Sequence, residues 1–350
     1  MKINEIITYS DFANLTKEDI ETIVSELEID TTNVDDIKSY LYNIRETIFE
    51  DDKLNEMILN RVFAGRTSLK WYKFKQSEEE IPELIKRIES KNNLFNCKSN
   101  IDSELIKDIT QYTCIKLEKN KYIIRLYVPT GSKSIDNGVK LKKIKTISNT
   151  TAILDIENRI LEIRSSSKFS DKIAKLIMNN LKLVYTGGTM VLDKYGKRIE
   201  KLRDSLNNGK FIDTTSIPDE NIELTHEENK LVVETLEALD KYFNDNDAKE
   251  LIMKLDKMKT DGIPFTQLLL AGMSKIGMAV KQDDNDDLSK KSLYNLFKGY
   301  MTDYSGYITF TLPGDDKNKH TIQVGVTTNT ISFRSNITEE VIDYVRNKIV

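Results

Sequence analysis

Two cysteines in 350 residues, Cys97 and Cys114, cannot make a disulfide framework. A reducing, cytoplasmic compartment is the expectation. Histidine is as scarce: His226 and His320 stand far apart, and no cluster of Cys and His offers the spacing of a zinc site. No apolar run approaches the ~18 residues that cross a bilayer, since the most apolar stretch, 265–280, is interrupted by Lys275. No membrane association is expected. The opening Met1-Lys2-Ile3-Asn4-Glu5 does not read as a secretory leader. Nucleotide chemistry also lacks its signatures. Gly187-Gly188 and Gly196-Lys197 are wrongly spaced for a phosphate-binding loop. No Gly-rich dinucleotide fingerprint and no nucleophile elbow occur. No cofactor, no metal and no catalytic residue is therefore expected.

Charge is what the chain does have. The charged fraction is 31% with a net of −4, but the distribution is uneven: −8 over residues 1–106, +12 over 107–210 and −8 over 211–350. A basic middle attracts phosphate backbones whatever their sequence. It could equally be neutralised by its own acidic flanks or by an acidic partner.

Periodicity organises the chain. Thr16-Lys17-Glu18-Asp19 reads as a capping box, followed by apolar stripes through Ile20–Leu27, Val34–Ile48 and Leu54–Val62, with Gly65 placed to stop the last. Thr67–Phe74, with Trp71, reads as a strand. From Tyr112 the period becomes two: Tyr112–Glu118, Tyr122–Val128, Val139–Ile147, Thr151–Ile156 and Arg159–Arg164 read as strands, with 129–138 as a loop. A helix follows with Ser170 as N-cap and Asp171 in its first turn. Residues 207–222 read as a linker. The segment from 225 to 304 reads as helical, including one helix over Phe265–Val280. Three strands and a helix close the chain.

Part of this pattern repeats. Tyr122–Pro129 matches Gly306–Pro313, Ile160–Ser165 matches Thr330–Ser335, and Ser170–Asn179 matches Thr338–Asn347, in the same order. The expected fold class is α+β. The expected layout is a helical domain at 1–110 and a basic β-rich domain with a capped helix at 111–210, then a helical block at 211–304. A C-terminal β-β-β-α unit at 305–350, related to 122–181, completes it.

Three basic clusters are candidates for phosphate contact. Lys140, Lys142, Lys143 and Lys145 lie beside strands. Arg164, Ser165 and Lys168 precede a helix N-terminus, where free N–H groups favour an anion. Lys197, Arg198 and Lys201 form the third. The second copy carries Glu339 and Glu340 at the matching place, so the copies share a scaffold but differ in charge. Acidic alternatives are weaker. Asp283, Asn285 and Asp287 have EF-hand spacing, but the sixth position is not Gly and the twelfth is Tyr294. Asp155 and Glu162 on adjacent strands, with Arg164 where a catalytic lysine would stand, could be a divergent metal nuclease site.

In order of parts and length the chain resembles the centromere protein N family, which implies DNA contact; the resemblance assigns no residue. The expected function is a non-enzymatic nucleic-acid-binding subunit, DNA above RNA, of a bacterial or phage complex in antiviral defence or DNA maintenance. Its acidic helical flanks would meet protein partners, and homo-oligomers are possible. A protein–protein adaptor and a metal-dependent nuclease are the alternatives.

Overall fold

The capping box at Thr16 forms as its sequence requires: the Asp19 amide donates to Thr16 Oγ1 at 3.2 Å and the Thr16 amide donates back to the Asp19 carboxylate at 2.8 Å. In this computed structural model it starts the second of five short N-terminal helices: α1 Tyr9–Phe12, α2 Lys17–Glu26, α3 Ile37–Asn43, α4 Arg45–Glu50 and α5 Asp52–Leu59. Ile23, Leu41, Ile48, Leu54 and Ile58, one or two from each sequence stripe, are fully buried together. The structure describes residues 2–32, 34–90, 94–99, 101–102, 105–117, 120–136, 141–218, 225–245, 248–260, 275–280 and 287–350.

Helix α5 runs into a π-helical turn, Asn60–Ala64, which Gly65 ends at φ +47°. A Cβ at Gly65 would lie 2.5 Å from the Arg61 carbonyl oxygen. Gly65→Ala is therefore expected to destabilise the fold by about 1–3 kcal/mol, read as a lower urea midpoint. An unchanged midpoint would mean that this backbone is not constrained.

By contacts the chain forms two compact units, Met1–Lys194 with Thr311–Val350, and Tyr195–Phe310. These do not follow the four segments read from the sequence, and the basic stretch 107–210 is shared between them.

The first unit is built on an antiparallel sheet. Its strands are β1 Ser68–Lys75, β2 Thr110–Lys116, β3 Lys121–Asp136, β4 Leu141–Asp155, β5 Ile160–Arg164, β6 Val184–Gly188, β10 Asp315–Gly325 and β11 Thr330–Phe333. The order is β2-β3-β4-β5-β1-β11-β10, with β6 also pairing with β1. The tryptophan strand is thus central to the sheet and not an accessory of a helical domain. Register divides the side chains between two faces. On one, Tyr72, Leu154, Leu161 and Ile163 are buried with Leu84 and Ile88 of helix α6 (Ile81–Ile88) and Ile173 and Ile177 of helix α7 (Ser167–Leu181). The other face carries three rungs: Thr113–Arg125–Thr151–Arg164–Leu69–Ile331, Ile115–Ile123–Ile153–Glu162–Trp71, and Lys121–Asp155–Ile160–Lys73.

The repeat has a structural counterpart here. Leu161 opposes Leu154 as Ile331 opposes Val324, and Ile163 opposes Ala152 as Phe333 opposes Ile322. Both hairpins turn through four residues whose last is left-handed, Arg159 at φ +54° and Asn329 at φ +52°. Strands β5 and β11 flank β1 on opposite edges, each antiparallel to it. The matched apolar pairs point to opposite faces: Leu161 shares a face with Tyr72, whereas Ile331 shares one with Leu69. The match fails at the helix starts. Helix α7 begins at Ser167 with Ser166 as N-cap, four residues earlier than read. Ser170 is buried inside the helix, its hydroxyl donating to the Ser165 and Ser166 carbonyls. Asp171 consequently leaves the first turn and accepts from Tyr72 Oη at 2.8 Å and Lys70 Nζ at 3.0 Å.

The second unit contains β7 Lys210–Pro218 between β8 Ile276–Ala279 and β9 Met301–Leu312. Its helices are α8 Ile199–Ser205, α9 His226–Asp245, α10 Ala248–Thr260 and α11 Ser292–Phe297. Strand β7 replaces most of the expected linker. Its buried positions are Phe211, Thr214, Ser216 and Pro218, so its period of two is carried by small polar groups that hydropathy does not mark. Likewise the end of the expected 265–280 helix is strand: Ile276 and Met278 alternate inward against Phe297 and Met301. Residues 261–274 and most of the EF-hand-like loop, 281–286, lie outside the described residues. Asp287 is committed elsewhere, capping Ser289 and pairing with Arg203.

Candidate nucleic-acid interface

Strands β3 and β4 pair continuously from Lys121–Asp155 to Asp136–Leu141. Their neighbours stop earlier: β2 pairs with β3 only as far as Tyr127, and β5 pairs with β4 only as far as Thr151. Beyond those points, 128–136 and 141–150 form a two-stranded ribbon. Among the described residues no third strand pairs with either edge. The expected loop at 129–138 is therefore mostly strand. A proline is tolerated at a bulge, and the register shifts between Pro129 and Gly131, where Gly131 adopts φ +151°.

Residues 128–150 hold five lysines and one acid, Asp136. Register sets Lys145 opposite Ser132 and Lys143 opposite Ser134 on one face, and Lys133 opposite Ile144 on the other. Lys133, Lys143 and Lys145 are exposed. Lys133 and Lys143 have no ion pair among the described residues, while Lys145 donates to the Ile106 carbonyl at 3.4 Å. Of Lys142 only the backbone is placed, in β4, and Lys140 lies outside the described residues. Lys133 was missed in the sequence because Pro129 and Gly131 masked the strand that carries it. The ribbon base is tethered, with Asn149 Nδ2 donating to Ser10 Oγ at 2.7 Å.

The second cluster divides. Strand β5 ends at Arg164 opposite Thr151, where β4 leaves the sheet, so Ser165 and Lys168 stand at the sheet end from which the ribbon emerges. Lys168 is exposed and Ser165 half-buried. Arg164 is not a surface residue: its side chain is 2% exposed, its Nε donates to Glu162 at 2.8 Å, its Nη2 to Glu339 at 2.8 Å and its Nη1 to the Phe63 carbonyl at 2.7 Å. The sequence contrast between a basic and an acidic copy is thus in part an internal ion pair between the two, Arg164 with Glu339. The third cluster belongs to the second unit. Lys197 and Lys201 are exposed there, and Arg198 is half-buried, donating to the Met301 carbonyl at 3.0 Å.

The acidic pair lies in a different setting. A cavity of about 870 Å³ opens on the face bearing the three rungs, lined by Lys73, Lys121, Asp155, Glu162 and Arg346 among others. Arg346 comes from helix α12, Glu339–Ile349. Glu162 is 2% exposed and accepts from Trp71 Nε1 at 2.7 Å, Arg164 Nε at 2.8 Å and Arg346 Nε at 2.7 Å. Burial pushes its pKa up, but Arg164 and Arg346 outweigh that and hold it down to about 2. Its oxygens are therefore engaged by three donors and turned away from metal chemistry. Asp155 accepts from the Asn158 amide and side chain at 3.0 and 2.9 Å and lies 3.7 Å from Lys121 Nζ. Among the described residues no three His, Cys, Asp or Glu are grouped closely enough to hold a metal ion, and no helix is long and apolar enough to cross a membrane.

No protein-family model matches the chain, and no curated protein is detectably similar to it. The likeness in layout to the centromere protein N family gains no support from these comparisons.

Proposed function

We propose that this protein is a non-enzymatic DNA-binding subunit that holds phosphate backbones with the lysine ribbon of its first unit. The observation that carries this reading is the ribbon itself: two paired strands leave the sheet, with no third strand on either edge among the described residues, and carry five lysines against a single acid. Beyond Val128, which is buried at its base, the arm's exposed lysines contribute little to stability, whereas counterion release gives it affinity for polyanions. Lys168 at the same end of the sheet adds to the contact. In this proposal the acidic segments meet protein partners.

The test is a gel shift with the triple variant K133E/K143E/K145E. Retention of DNA is expected to fall on the order of 100-fold at 0.1 M salt, and the slope of log affinity against log salt to flatten by roughly three. Thermal unfolding should be unchanged, because none of the three side chains is in the core. Undiminished retention by the variant would sink the reading. If the wild-type chain retains no nucleic acid while capturing an acidic protein, the adaptor reading takes its place.

A further inference from the structure

From the shape of the ribbon we infer that its ligand is B-form duplex DNA, entered through the major groove; this rests on the DNA-binding reading above. Three properties of the ribbon select that ligand. The first is its section. Strands sit about 4.8 Å apart, and the ~12 Å major groove of B-DNA admits one such pair with its side chains. The major groove of an A-form RNA duplex is deep and narrow and does not. The second is reach. From Thr130, where exposure begins, to Asp136 the strand extends roughly 23 Å at about 3.3 Å per residue, enough to lie along the groove for part of a helical turn.

The third is chemistry. Residues 128–150 include no aromatic side chain, so the stacking platform on which single-stranded bases are held is missing. What the ribbon offers instead is one face of Ser132, Ser134, Lys143 and Lys145. Those groups suit base edges, with Lys donating to guanine O6 and N7 and Ser to either base type. Leu141, 69% exposed, and Asp136 opposite it continue that face, the first with an apolar group suited to a thymine methyl and the second with a carboxylate that can accept from cytosine N4. The serine opposite Lys143 is short, which leaves that ammonium clear of its cross-strand neighbour, while Lys145 also donates to the Ile106 carbonyl at 3.4 Å. Along both open edges the outward main-chain N–H groups face the phosphate walls of a groove, and such donors position a protein without reading sequence. Lys133, on the opposite face, points away from the floor and toward the backbone.

The test is competition on the full chain. A 30-base-pair mixed-sequence DNA duplex is the probe, with the matching RNA duplex and DNA single strand as competitors. Methyl green occupies the major groove and distamycin the minor. The inference expects the RNA duplex and the single strand to compete at least tenfold less well than unlabelled duplex DNA. It expects methyl green to displace the protein and distamycin to leave it bound. It also expects K143A/K145A to lose more affinity than K133A, with the melting temperature of each variant unchanged. Equal competition by RNA or single strand, displacement by distamycin, or indifference to methyl green would overturn the groove assignment while leaving DNA binding intact. Failure to bind any of the three nucleic acids would instead overturn the proposed function on which it rests.

Discussion

Replacing Glu162 by Ala is expected to destabilise the first unit by about 3–5 kcal/mol, the usual loss when one member of a buried ion pair is removed. Glu162 is the acceptor for Trp71, Arg164 and Arg346 at 2.7–2.8 Å, and these belong to β1, β5 and α12. Without it buried Arg164 and largely buried Arg346 keep one carboxylate partner each, Glu339 and Asp343. The double variant E162L/R346L, which removes both charges of one pair and fills the space, should recover most of the loss. Urea denaturation of the three proteins decides it, and a single-variant loss under 1 kcal/mol would show that the network is not holding the fold. The pH dependence has a definite sign. The folded pKa of Glu162 lies below its ordinary value of 4.5, at about 2. Its contribution is therefore fully present above pH 4.5 and is lost as pH falls toward 2. The stability gap between wild type and E162Q should narrow over that window, and a gap that stays constant from pH 6 to pH 2.5 would contradict the assignment.

The second large effect is expected at Asp11. Arg125, on β3, has a side chain only 2% exposed and is gripped from helix α1 by both Asp11 oxygens, at 2.6 and 2.7 Å. Its other donors reach Tyr112 Oη at 2.9 Å and Thr151 Oγ1 at 2.8 Å, while the Phe63 ring lies beneath it at 5.4 Å. Asp11→Ala leaves a buried cation with neutral partners only, for a loss of about 3–5 kcal/mol. D11A/R125M should be the milder of the two proteins despite carrying one more substitution. Amide hydrogen exchange supplies the second readout. Residues 9–26 should lose protection in D11A beyond the global loss, because the Asp11–Arg125 pair joins the Asn149–Ser10 bond in fixing that end of the helical layer to the sheet. Uniform loss of protection across the unit would mean the pair does not act locally.

Much of this architecture was legible in the chain. The capping box at Thr16, the stop at Gly65, the β-hairpins and the closing strand-strand-helix all announce themselves by caps and periods. The misses have common physical causes. Strand β7 buries Thr214 and Ser216, whose hydroxyls find partners at 3.2–3.3 Å, and a polar strand gives no apolar alternation to read. Pro129 and Gly131 look like a loop because a bulge can carry both without ending the pairing. Arg164 looked like a surface cation because one of its two carboxylate partners, Glu339, is 175 residues away, the other being Glu162 two positions before it. No local pattern reveals a charge pair at that separation. The same holds for the α7 cap, where three serines in a row, Ser165–Ser167, leave the start of the helix undetermined until Phe169 and Ile173 are seen to pack. For the candidate site the lysine count was legible, and the arm that presents it was not.

The place of β1 sets a schedule for making this protein. One of its edges is completed by β11, through Ser68 and Ser332, whose hydroxyls meet at 2.7 Å across 264 positions of chain. On a ribosome adding about 5–20 residues per second, that partner arrives more than ten seconds after β1 itself. Throughout that interval the start of β1 offers an open hydrogen-bonding edge beside Leu69 and Trp71, and Glu162 waits for Arg346. The nascent chain therefore passes through a window in which strand addition by a neighbouring molecule competes with its own C-terminus. Chaperone dependence during synthesis, and aggregation when translation stalls before residue 330, follow from that one strand order.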